Sequence, residues 1–141
     1  MAHRPMYTSY HSDTQPDYPP FTPDWLRKSF EPLFLKYSVD AYITGHVHAY
    51  DRTYPIIDGQ VVQYNYTNPG APVHITIGCA GSIEGHEKIN ASQKAYSAKI
   101  DNEHFGFGKV QVFNDTHLLW QFFASANDEL LDQIWLIKDP R

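Results

Sequence analysis

A chain of 141 residues, 42 % apolar and 15 % aromatic, holds enough hydrophobic material for one modest domain and too much for a disordered tail. Its net charge of -5 comes from 11 basic against 16 acidic residues with no run of Lys or Arg, which argues against a nucleic-acid surface. There is no run of 18 apolar residues and no basic start leading into an apolar stretch, so no membrane span or signal peptide is read. The single cysteine, Cys79, permits no internal disulfide.

In chain order, residues 11 to 23 carry Pro16, Pro19, Pro20 and Pro23 and are expected to form a loop, because proline fixes its own φ and lacks a donor. Asp24 is placed to cap a helix from about Trp25 to Ser38, in which Leu26, Phe30, Leu33, Phe34 and Tyr37 fall on one face. Pro32 is expected to bend that helix or to start a second one. A short strand over 41 to 45 follows and runs directly into Gly45-His46-Val47-His48.

The second half reads as strands. Val73, Ile75 and Ile77 alternate with His74 and Thr76, the period of a half-buried strand with His74 on its outer side. Residues 82 to 104 are polar and read as a long surface excursion, with His86 and His104 as loop residues. Phe107 to Phe113 and His117 to Phe123 flank the polar turn Asn114-Asp115-Thr116 and read as a hairpin whose Trp and Phe residues are core. Residues 134 to 138 suit one further strand, and no repeat is present. The fold class expected from this order is α/β, or α+β-like, with a mixed sheet and a C-terminal hairpin as one domain over 1-141.

The histidine pair carries the chemistry. In an extended segment residues i and i+2 point the same way, so His46 and His48 can reach one site, and imidazole is a common ligand for zinc, iron and copper. Gly45 before them would let the backbone turn tightly beneath the ligands. A His-x-His pair also arises by chance, so the pattern leaves a metal site and an unligated pair both open.

Further residues carry a resemblance. Gly45-His46-Val47-His48-Ala49-Tyr50-Asp51-Arg52 resembles the last metal motif of the purple acid phosphatases, within the calcineurin-like metallophosphoesterases. Ala2-His3-Arg4-Pro5-Met6-Tyr7 resembles the histidine motif preceding it. The run from Ala71 to Gly81 resembles the strand and glycine turn that follow, and Phe105-Gly106-Phe107-Gly108 the start of the family's hairpin.

The resemblance implies the C-terminal part of a metallophosphoesterase β-sandwich flanked by helices, with a centre of iron(III) plus a divalent metal, zinc, iron or manganese. By the same resemblance His3 and His46 would serve the divalent metal and His48 the iron, and His11 would be a candidate proton donor to the leaving group. The family's earlier motifs, with its bridging Asp and its colour-giving Tyr, have no matching positions. This chain alone is therefore expected to hold at most one metal, because cations about 3.5 to 4 Å apart repel unless anions bridge them. Tyr7 and Tyr50 are candidates to line the pocket, and Asp51 and Arg52 to anchor the loop after the pair, while Glu84 and Glu87 read as solvated loop charges.

The implied function is metal-dependent hydrolysis of phosphate monoesters by an acid phosphatase, inactive without the upstream motifs. The alternative is a non-catalytic secreted glycoprotein fragment. Sequons at Asn65, Asn90 and Asn114 point to the secretory route, and the resemblance adds a secreted, lysosomal or vacuolar location. Missing strands would expose sheet edge and an apolar helix face, to be covered by an oligomeric partner or a complementing N-terminal segment.

Overall fold

The structure, a computed structural model, describes residues 1–10, 23–88 and 93–140. Helix α1 spans Pro23–Lys36 and is followed by strand β1, Ala41–Thr44. Strand β2 covers Tyr50–Thr53, a two-residue ribbon pairs β3 (Ile56–Ile57) with β4 (Gln60–Val61), and β5 covers Val73–Ile77. Then come β6 (Ser97–Asp101), β7 (Gly106–Asn114), β8 (His117–Ala124) and β9 (Leu130–Ile137).

Two sheets face each other. The first is mixed, in the order β1-β5-β2-β6, with β1 parallel to β5 and the other neighbours antiparallel. The second is an antiparallel meander, β7-β8-β9. Val73 and Ile75 from the first sheet meet Trp120, Phe122, Ile134 and Leu136 from the second in one buried cluster, and α1 packs on the far side through Leu26, Met6, Tyr7 and Tyr42. The mixed α/β expectation is met, with three layers. The hairpin is a meander because β9 begins at Leu130, before the expected 134, and a single helix flanks the sheets among the described residues.

Several expectations need correction. His74 is buried, not on a strand surface, because its side of β5 is roofed by Tyr7 and Tyr42, whose rings lie 4.8 and 5.5 Å from its own. Residues 82 to 104 contain β6, whose polar sequence shows no apolar period and whose strand form comes from pairing with β2. Phe105, Phe107 and Phe113 are exposed, while Trp120 and Phe122 form the core. In α1, Leu26 is buried but Phe30 and Leu33 stand exposed, as does Tyr37 just past its end, so the apolar face lacks a cover among the described residues. The helix runs unbroken through Pro32, and Asp24 sits inside its first turn, paired with Arg27 and Lys28.

The sheets are joined by polar contacts of β2. Tyr50 and Arg52, two residues apart, point the same way. Arg52 grips Asp132 on β9 through Nε (2.6 Å) and Nη2 (2.9 Å). The Tyr50 hydroxyl donates to Asp132 (2.6 Å), accepts from Trp120 Nε1 (2.9 Å), and its ring stacks on Phe122 at 4.1 Å. Burial opposes ionisation of Asp132, but the Arg52 and Tyr50 hydrogen bonds outweigh it and hold the carboxyl below its usual range.

Asp51 points to the opposite side. Its carboxylate accepts from the Ser9 amide at 2.6 Å, and the Ser9 hydroxyl meets Ser97 at 2.9 Å, so β2 also pins the N-terminal segment. It therefore anchors residues 8 to 10, while Arg52 anchors the second sheet.

Removing one partner of a buried ion pair leaves an uncompensated charge. Asp132→Ala is expected to cost about 3–5 kcal/mol in urea denaturation, and the double change Arg52→Met with Asp132→Leu to recover most of it. Two buried groups set an opposed pH dependence. Burial pushes His74 down to about 3, so between pH 6.5 and 3 only the unfolded chain takes up that proton and stability falls as pH falls. Burial lifts Asp51 to about 6 against hydrogen bonds from Ser97, Ser9 and Thr8, so stability falls as pH rises from about 4 to 6. The two slopes cancel over that window. Denaturation between pH 6 and 4 is expected to show Asp51→Asn losing about 2–3 kcal/mol relative to the unsubstituted chain, and His74→Phe gaining a similar amount.

Candidate metal centre

The start of the chain lies along the outer edge of β1. Ala2 bridges Thr44 in parallel, Ala2 N–H donates to Ile43 O (3.0 Å), and Gly45 N–H donates to His3 O (3.1 Å). That register sets His3 beside His46, with His3 Nε2 and His46 Nδ1 3.1 Å apart and the rings edge to face at 4.9 Å. Two nitrogens bound to one cation at zinc-like distances, at tetrahedral to octahedral angles, are about 3.0 to 3.4 Å apart. The pair fits a shared divalent ion. One ring donates a hydrogen bond to the other.

The segment bearing His46 and His48 is not extended as the sequence suggests. Val47 N–H bonds Gly45 O and Ala49 N–H bonds Val47 O, both at 2.8 Å, which makes two successive three-residue turns centred on the two histidines. His46 has φ of 66°, a left-handed backbone that costs a non-glycine residue on the order of 1–3 kcal/mol. The alternation survives in this form. Val47 and Ala49 are buried with Tyr10, while His46 and His48 remain partly open.

Residues after β5 lie against this loop. Gly78 N–H donates to Ala49 O (3.2 Å) and Glu87 N–H to His48 O (3.0 Å). Glu84 Oε2 stands 3.6 Å from His48 Nδ1, an ion-pair distance when the ring is protonated. The sequence reading treated Glu84 as a solvated charge, and it is largely exposed, but it faces a candidate ligand. A carboxylate hydrogen-bonded to one ring nitrogen is the usual orienting partner of a metal-binding histidine, and at 3.6 Å Glu84 is beyond hydrogen-bond reach of His48.

His3 and His46 are thus brought together, and His48 shares the loop of His46. No group of three or more His, Cys, Asp or Glu side chains converges among the described residues, and His11 lies outside them. Tyr7 and Tyr50 do not line the centre: both are buried, with their hydroxyls on Glu31 and Asp132. A Cβ on Gly45 would meet nothing within 4 Å, so this glycine is not needed for backbone approach.

The family model described as iron/zinc purple acid phosphatase-like protein C matches residues 71–133. An acid phosphatase of Aspergillus ficuum is 36 % identical over 98 % of this chain and 23 % of its own length. Acid phosphatase type 7 of Danio rerio is 33 % identical over 99 % of this chain and 34 % of its own. The solved purple acid phosphatase PPD1 from yellow lupin (Lupinus luteus) seeds superposes with a TM-score of 0.81 at 27 % identity, over 97 % of this chain and 24 % of that one. The chain therefore spans about a quarter to a third of the length of these proteins. Its histidine loop, its paired sheets and these likenesses agree: the chain belongs to the purple acid phosphatase family.

Proposed function

We propose that the chain is one domain contributing to an acid phosphatase that hydrolyses phosphate monoesters at a binuclear metal centre. The observation that carries this reading is the 3.1 Å approach of His3 Nε2 to His46 Nδ1. In the complete centre these two residues would hold a divalent cation, zinc, iron or manganese, and His48 would hold iron(III). When bound, the cations supply Lewis acidity toward the phosphoryl oxygens and a nucleophile at acidic pH.

The protein's own residues set the geometry. The pairing along β1 holds His3 against His46. His11, outside the described residues, protonates the departing alkoxide. The three histidines bring no negative charge to bridge two cations, so this chain alone holds at most one metal and is inactive until carboxylate ligands are supplied.

Zinc titration of the chain by calorimetry is expected to give one site, weakened at least about tenfold by His3→Ala or His46→Ala, with no turnover of an aryl phosphate above background. Two metals per chain, or turnover at the rate of intact relatives, would overturn the partial-site reading. Unchanged binding in both variants would remove the ligand assignment and favour a non-catalytic glycoprotein.

The chain is further proposed to follow the secretory route to a secreted, lysosomal or vacuolar location. Asn65 and Asn114 are exposed, which supports this, and Asn90 lies outside the described residues. Expressed in a secretory host, the chain is expected to carry glycan on Asn114 in peptide mapping, lost in Thr116→Ala and kept in Thr116→Ser. An unmodified Asn114 would count against the route.

A further inference from the structure

We propose that Gly78 is a positioning residue for the histidine pair: its bare Cα is the seat on which the loop from Gly45 to Ala49 rests. A Cβ built on Gly78 would lie 2.7 Å from the Val47 carbonyl carbon, closer still to its oxygen, and 3.4 Å from the carbonyl carbon of Gly45. Contacts under 3.0 Å are not tolerated by real Cβ atoms, and the obstacle is backbone, not the end of a flexible side chain. Any side chain at 78 must therefore lift Val47. His46 and His48 flank Val47 and would move with it.

The seat also explains how the strained turn persists. His46 is held at φ of 66° by what surrounds it: Val47 is buried with Tyr10 below, and Gly78 N–H ties Ala49 O at the loop's end. Left-handed backbone at a non-glycine residue survives only where its surroundings over-determine it. Gly45, the glycine adjacent to the pair, does not share the role, since a Cβ there meets nothing and its φ is not positive. The conclusion goes beyond the phosphatase reading but rests on its assignment of His3 and His46 as a cation pair.

The test compares Gly78→Ala with Gly45→Ala in the metal-free, ¹⁵N-labelled chain and in zinc calorimetry, with folding checked by circular dichroism. Gly78→Ala is expected to shift the amide signals of His46, Val47 and His48 and to weaken zinc binding at least about tenfold, with Gly45→Ala within about threefold of the unsubstituted chain. Unmoved amide signals and unchanged zinc affinity in Gly78→Ala would overturn the proposal. Should the unsubstituted chain bind no zinc, the metal reading fails separately, and the amide shifts alone decide on the seat. If Gly78→Ala does not fold, hydrogen exchange in the unsubstituted chain decides. A Gly78 amide protected as well as those of β5 supports the seat, and exchange at the rate of an unstructured amide overturns it.

Discussion

Arg52 and Asp132 meet between the two sheets, and nearly everything that shapes the centre is attached to the short strand carrying that arginine. Three consecutive residues of β2 face alternate sides. Tyr50 and Arg52 reach across to Trp120 and Asp132, and Asp51 reaches back to Ser9. A buried ion pair is weak evidence of net stability, because desolvation offsets much of its attraction. Its contribution here is geometric: bidentate contact and the tyrosine hydroxyl admit one arrangement of β2 on β9. The histidine loop ends where β2 begins, so that arrangement fixes one end of the loop.

The other end is fixed by β1 and the segment paired along its edge. Between these ends the chain makes two tight turns with four loop carbonyls engaged: Gly45 and Val47 within the turns, His48 by Glu87 and Ala49 by Gly78. These bonds help offset the cost of the left-handed residue, since buried backbone groups left unpaired would cost as much as the strain itself.

Much of this order was legible in the residues. The alternation in β5, the helix before β1 and the histidine pair follow from periodicity and spacing. What covered each element did not. Period two placed His74 opposite Val73 and Ile75 but gave no sign that two tyrosines roof that side. Ser97–Asp101 has no apolar period because β2 dictates its strand form. The sequence also directed attention to Gly45, adjacent to the histidines, when the close approach belongs to Gly78, more than thirty residues away; contact of backbone with backbone leaves no signature in local pattern. Asp51 reads as an anchor, but only the fold shows Ser9 as what it holds; Glu84 reads as an ordinary charge until the fold supplies His48 as a neighbour.

The pairing of the chain's start with β1 has a kinetic side. His3 and His46 are 43 residues apart, Ser9 and Asp51 are 42, and Arg52 and Asp132 are 80. Each contact closes a long loop before any local gain offsets the entropy, so a topology of this kind folds slowly and its distant pairings form together. The spacing of the histidine pair therefore depends on long-range pairing and not on local structure. Partly folded chains would display the imidazoles without their spacing, and the approach of His3 to His46 would report completion of the whole sandwich.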